Sequence, residues 1–155
     1  MKSKMITLCA ATMLTSVEAI AETTPEDVID TLFEGMLAGD GSVIRALVMP
    51  GARLDRLQED GSIRGGNFES WISWVDTQNN GDANEQIFGV QTMSRTDELA
   101  TVWAPFTLVY KGDLVGCGVN QFTLAKSVDG WRVVYGIDKH EPKGTDCNAF
   151  RAGFE

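Results

Sequence analysis

Histidine, cysteine and proline are scarce in this 155-residue chain, with one, three and four copies, and each shortage removes a class of chemistry. The cysteines form no CxxC pair, and His140 alone cannot complete a zinc set with them, so no metal site is expected. Neither a phosphate-cradling glycine loop, a nucleophile elbow, HExxH nor an N-x-S/T sequon occurs, and no cofactor is expected. Basic residues number 13 against 22 acidic ones, and the net charge of −9 repels nucleic acid and anionic lipid. The apolar run from Met5 to Leu14 is about half of the roughly 20 residues that a spanning helix needs, which argues against a permanent membrane anchor.

That run fits export instead. Lys2 and Lys4 precede it, and the small-residue triplet Ala19-Ile20-Ala21 follows, which is the layout of a secretory signal peptide cleaved after Ala21. A first helix of the folded domain is the competing reading, but Thr15, Ser16 and Glu18 interrupt any apolar face there. Cys9 lies inside the run, too early to be a lipidated cleavage site. The expectation is a signal peptide over 1–21 and one domain over 22–155, periplasmic or secreted. Cys117 and Cys147 then remain in a compartment that permits disulfides, and no other mature cysteine competes for either. A Cys117–Cys147 bond is expected, with a buried thiol at Cys117 as its alternative.

Thr24-Pro25-Glu26-Asp27 reads as a helix start, with a capping hydroxyl, a proline suited to the first turn and acids at the positive end. Val28, Ile29, Leu32, Phe33, Met36 and Leu37 recur at helical spacing up to Gly39. A short helix after Ser42, closed by Pro50-Gly51, and a third containing Phe68, Trp71, Ile72 and Val75 follow, with an alternating strand from Ala52 to Leu57 between them. Runs near 85–94, 99–110, 114–126 and 131–139 are separated by turn compositions and read as strands. Helices first and an antiparallel sheet after them define an α+β domain. No repeat or linker divides it.

Within 99–138 stand Trp103-x-Pro105-Phe106, Cys117-Gly118, Phe122-x-Leu124 and Gly130-Trp131-Arg132. This succession resembles the lumazine-binding-like branch of the SnoaL-like, nuclear-transport-factor-2-like superfamily. The resemblance implies a cone: a curved antiparallel β-sheet wrapped around N-terminal helices, enclosing a pocket and commonly forming dimers. Two positions depart from the pattern. Phe106 stands where a tyrosine is usual and Gly116 where a histidine is frequent, and both departures remove polar chemistry.

Two-residue turns at Lys111-Gly112 and Asp129-Gly130 would set Trp103 opposite Asn120 and Phe122 opposite Ile137. On that register Trp103, Asn120, Phe122 and Tyr135 share the helix-facing side and, with Trp71 or Trp74, line an aromatic pocket; ordinary core packing is the alternative. Asp138 and His140 would lie together on the opposite face as an acid–base candidate pair or a solvated strand end. The leading expectation is a non-catalytic binder of a small apolar or aromatic molecule. The alternatives are a SnoaL-like isomerase, dehydratase or cyclase and a dimeric interaction module, a homodimer being expected from the resemblance. Mature protein recovered from the envelope or medium should begin at Glu22 by N-terminal sequencing, and a chain still starting at Met1 would remove the export expectation.

Overall fold

The structure, a computed structural model, describes residues 23–154, so the expected signal peptide lies outside the described residues. Helix α1, Pro25–Ala38, begins at a capping box: the Asp27 N–H donates to Thr24 Oγ1 and the Thr24 N–H donates back to the Asp27 carboxylate. It ends at Gly39, whose φ of 70° favours a residue without a side chain. Its buried face is Val28, Ile29, Leu32, Phe33 and Met36, the apolar stripe of the sequence. Helix α2, Gly41–Leu47, packs so closely on the loop after the third helix that a Cβ at Gly41 would collide with the Asp76 carboxylate. The Gly41 N–H instead donates to that carboxylate at 2.8 Å.

Strand β1, Val48–Leu57, starts earlier than expected and carries Pro50-Gly51 within it, at a register irregularity. A two-residue strand β2, Ile63–Arg64, folds back on it, and helix α3, Phe68–Val75, follows from an Asn67 cap. The expected run near 85–94 is two strands, β3 (Ala83–Ile87) and β4 (Gln91–Thr96), each pairing with β5, Leu99–Tyr110. Strands β6, Asp113–Ser127, and β7, Gly130–His140, complete a sheet ordered β2-β1-β7-β6-β5-β3, with β4 also on β5. The class is the expected α+β cone, with one correction: β1 runs parallel to β7, so the sheet is mixed.

Helices α1 and α3 cover the inner sheet face. Phe122 receives Phe33 from α1 at 6.1 Å between ring centroids and Phe68 from α3 at 6.5 Å. Gly136 makes this possible, because a Cβ there would meet Leu54, Phe68 and Phe122 side chains at 2.9, 3.1 and 3.2 Å. An unforeseen last helix, α4 (Cys147–Ala152), lies at the outer face, where Phe150 and Phe154 meet Phe88.

The Cys117–Cys147 disulfide fastens α4 to β6. It closes a loop with a sequence separation of 30, which the chain-entropy estimate values at about 3–4 kcal/mol. Cys147→Ala should lower unfolding free energy by about that amount in denaturant titration, and the unreduced, unfolded mature chain, which lacks Cys9, should take up no thiol label; two freely labelled thiols would contradict the bond.

Candidate functional site

Beyond the aromatic cluster the helices leave the inner sheet face uncovered, and a cavity of about 790 Å³ opens there. Its apolar wall combines Phe33 and Met36 of α1, Trp71 and Trp74 of α3, and Phe122 of β6. Trp71 and Trp74 stand three residues apart, so one helix face presents both. Trp74 also lies against the Tyr110 ring at 6.2 Å and is 38% exposed, which marks it as a rim residue.

The opposite wall is polar. Ala104, Asn120, Asp138 and Arg56 are successive register partners across β5, β6, β7 and β1, so their side chains share the inner face. Arg56 Nε donates to Asp138 at 2.7 and 3.0 Å, and its Nη2 donates to the same carboxylate. His140 Nε2 lies 3.2 Å from Asp138 Oδ2, while the His140 ring meets Phe106 edge-on at 5.1 Å. Burial opposes the charge on Asp138, but the hydrogen bonds from His140 and Arg56 outweigh it and hold the carboxyl below its usual range.

Glu85 of β3 enters from the far edge. Asn120 Nδ2 donates to Glu85 Oε1 at 2.5 Å. Since β3 is a sheet edge the residue as a whole is only half-buried, yet its carboxyl is enclosed, and the enclosed end governs its titration. Burial, helped by the nearby Asp138 charge, pushes Glu85 up to about 7 despite the Asn120 hydrogen bond and Arg56. The wall shared by β6, β7 and β3 thus holds a committed carboxylate, Asp138, and a carboxyl, Glu85, that exchanges its proton near neutrality, while Asp55, held low by Arg53, lines the cavity nearer β2.

Among the expected site residues, the structure brings Trp71, Trp74, Asn120 and Phe122 together around the cavity and adds Asp138 and His140, which the expected register had put outside. Trp103 and Tyr135 are corrected: they lie on the outer face, opposite Gln121 and Thr123 of β6. For Trp103 a β-bulge between Leu108 and Val109 slides the β5–β6 register by one residue, and for Tyr135 the β6–β7 register starts from a turn at Val128-Asp129 and slips between Thr123 and Leu124; a net one-residue slip exchanges the faces. Trp103 is 43% exposed there. Tyr135 instead donates to Asp55 at 3.3 Å, within a network in which Asp55 also accepts from Arg53 and the Gly66 N–H. Glu85 and Arg56 were missed, although each carries a signal: both sit in phase with apolar neighbours, Glu85 between Ala83 and Ile87, Arg56 after Ala52 and Leu54. Among the described residues no cluster of His, Cys, Asp and Glu could hold a metal ion.

A curved sheet around helices with a pocket on its inner face defines the NTF2-like class. Solved structures agree in fold. An NTF2-like protein with a cystatin-like fold from Novosphingobium aromaticivorans has a TM-score of 0.60 at 13% identity, covering 83% of this chain and 84% of its own. A "putative dehydratase" from the NTF2-like family of Streptomyces avermitilis reaches 0.58 at 15% identity, over 74% of this chain and 91% of its own. An NTF2-like protein from Shewanella baltica reaches 0.55 at 18% identity, over 76% and 91%. No curated protein matches the chain. The sequence model of the family described as "Putative lumazine-binding" matches residues 21–136, and the chain belongs to that family.

The high value of Glu85 has a sign that can be measured. The folded chain keeps this proton above pH 4.5, where the unfolded chain releases it, so the stability it contributes is full below pH 4.5 and is lost as pH rises through about 7. Glu85→Gln removes that dependence. The stability of the variant relative to the parent should rise by about 2–3 kcal/mol between pH 5 and pH 8 in urea titrations; an offset constant with pH would contradict the burial of this carboxyl.

Proposed function

We propose that this chain is an exported small-molecule-binding protein whose cavity holds a small, largely apolar or aromatic molecule without transforming it. The observation that carries this reading is the two-sided cavity, with Trp71, Trp74 and Phe122 on one wall and Asn120 and Glu85 at its polar end. Pockets of this make-up bind by apolar contact and orient by a few polar groups. Membership of a family described as lumazine-binding supports small-molecule binding. Export is supported by the signal-peptide layout of residues 1–21 and by a disulfide suited to an oxidising compartment. No helix among the described residues is long and apolar enough to cross a membrane.

One observation favours a second reading, proton-transfer catalysis of the isomerase, dehydratase or cyclase kind. An enclosed carboxyl titrating near 7 is matched to general acid–base work at neutral pH, and here it is Glu85. Asp138 is the weaker base, because Arg56 and His140 already occupy it. The homodimer reading rests on the outer face, where Trp103, Met93 and Leu99 are 43%, 72% and 42% exposed and suit a second copy.

A thermal-shift screen of the mature protein against aromatic metabolites tests the binding reading, since a ligand for the folded state raises Tm with its concentration. Asn120→Ala should weaken a confirmed ligand about tenfold while changing stability by less than a large core truncation, which costs roughly 2–5 kcal/mol. A panel without any shift would remove the support for binding. Should a hit be turned over, Glu85→Gln should slow that turnover about 10²-fold or more, and an unchanged rate would leave binding alone.

A further inference from the structure

Arg56 and Arg64 are direct register partners across β1 and β2, and both side chains line the cavity. Like charges set opposite one another weaken a strand pair. Finding the arrangement on a cavity wall of a chain with a net charge of −9 calls for an anion to offset it. Asp138 engages Arg56 through Nε and Nη2 and offsets that one guanidinium, with Glu85 acting on Arg56 as well, so the charge left over is that of Arg64. Arg64 is exposed, and its side chain makes no ion pair or hydrogen bond with the described residues.

The rest of this rim is also weighted toward donors. Asn67 spends its side-chain oxygen on the Ser70 N–H, capping α3, which leaves its amide N–H groups on the cavity edge. The Ser70 hydroxyl lines the same edge. The acceptor nearby, Asp55, is already filled by Arg53, the Gly66 N–H and the Tyr135 hydroxyl. A neutral ligand would leave this excess of donors unanswered, whereas a carboxylate matches it, with two oxygens that accept in the plane of a guanidinium.

We infer that the cavity takes an aromatic carboxylic acid as its anion, the carboxylate bridging Arg64 and Arg56 at the mouth and the ring lying along Trp71 and Trp74. This inference rests on the pocket reading above and adds the charge of the ligand to it. Arg64 is the specificity residue, since Arg56 is held by Asp138 and its removal would strand a buried carboxylate.

The test uses the mature chain and two matched pairs of probes, 2-naphthoate with 2-naphthamide and indole-3-acetate with indole-3-acetamide. Binding is read from the indole N–H resonances of Trp71 and Trp74, assigned by single Trp→Phe variants. The acids should shift both resonances with a Kd about tenfold or more below that of their amides, in line with one charge-assisted hydrogen-bonded contact. Arg64→Gln should bring acid and amide within about twofold, Arg64→Lys should keep part of the difference, and an unchanged Tm should exclude misfolding. Amides that bind as well as the acids, or a preference untouched by Arg64→Gln, would overturn the anion site and leave the pocket standing. Silence from all four probes also overturns it, and the pocket reading then depends on the wider screen alone.

Discussion

The register of β6 against its two neighbours is the constraint on which the pocket depends. Bulges between Leu108 and Val109 and between Thr123 and Leu124 each shift the pairing by one residue, and side chains alternate faces along a strand. With these bulges in place Asn120 points inward beside Asp138, and Arg56 joins them from the parallel strand β1. Without them Asn120 would meet Trp103, and the polar wall would be broken between the two faces.

The polar wall is costly to keep. Half-burying Glu85, and burying Asp138 to 9% exposure, strips both carboxyls of part of their hydration, and an apolar replacement would often be as stable. The aromatic cluster of Phe33, Phe68 and Phe122, seated over Gly136, supplies apolar burial a few residues away as part of the larger core that stabilises the fold. Local rules are broken where groups serve a ligand. Here the buried polar groups include Asn120 and Asp138 on the inner face and Asp55 in its network with Arg53, Gly66 and Tyr135.

The helices were legible because their signals are local. Thr24-Pro25-Glu26-Asp27, the stripe from Val28 to Met36 and Gly39 each specify a piece of α1 without help from the rest of the chain. The disulfide was legible because, with Cys9 inside the expected signal peptide, the other two cysteines leave one pairing. Face assignment was not, since it needs every residue between turn and site to stay in phase. The turn at Lys111-Gly112 sets the expected register only as far as Val109 opposite Leu114, and the bulge then moves Trp103 to Gln121. At the other hairpin Ser127 pairs with Gly130, so the turn residues are Val128 and Asp129, and the later slip sets Phe122 opposite Gly136 rather than Ile137. The short helix α4 carries too little periodicity to read from sequence, and it is held by its bond to β6 and by Phe88.

The central claim is that β6 turns Asn120 inward to meet an enclosed Glu85, making a proton-exchanging polar end to an aromatic cavity. The most direct measurement is a carbon-13 NMR titration of the Glu85 side-chain carboxyl, assigned with Glu85→Gln. The account predicts a midpoint at about 7 that moves when Asn120 is replaced by Ala. A midpoint near 4.5, indifferent to Asn120, would contradict it.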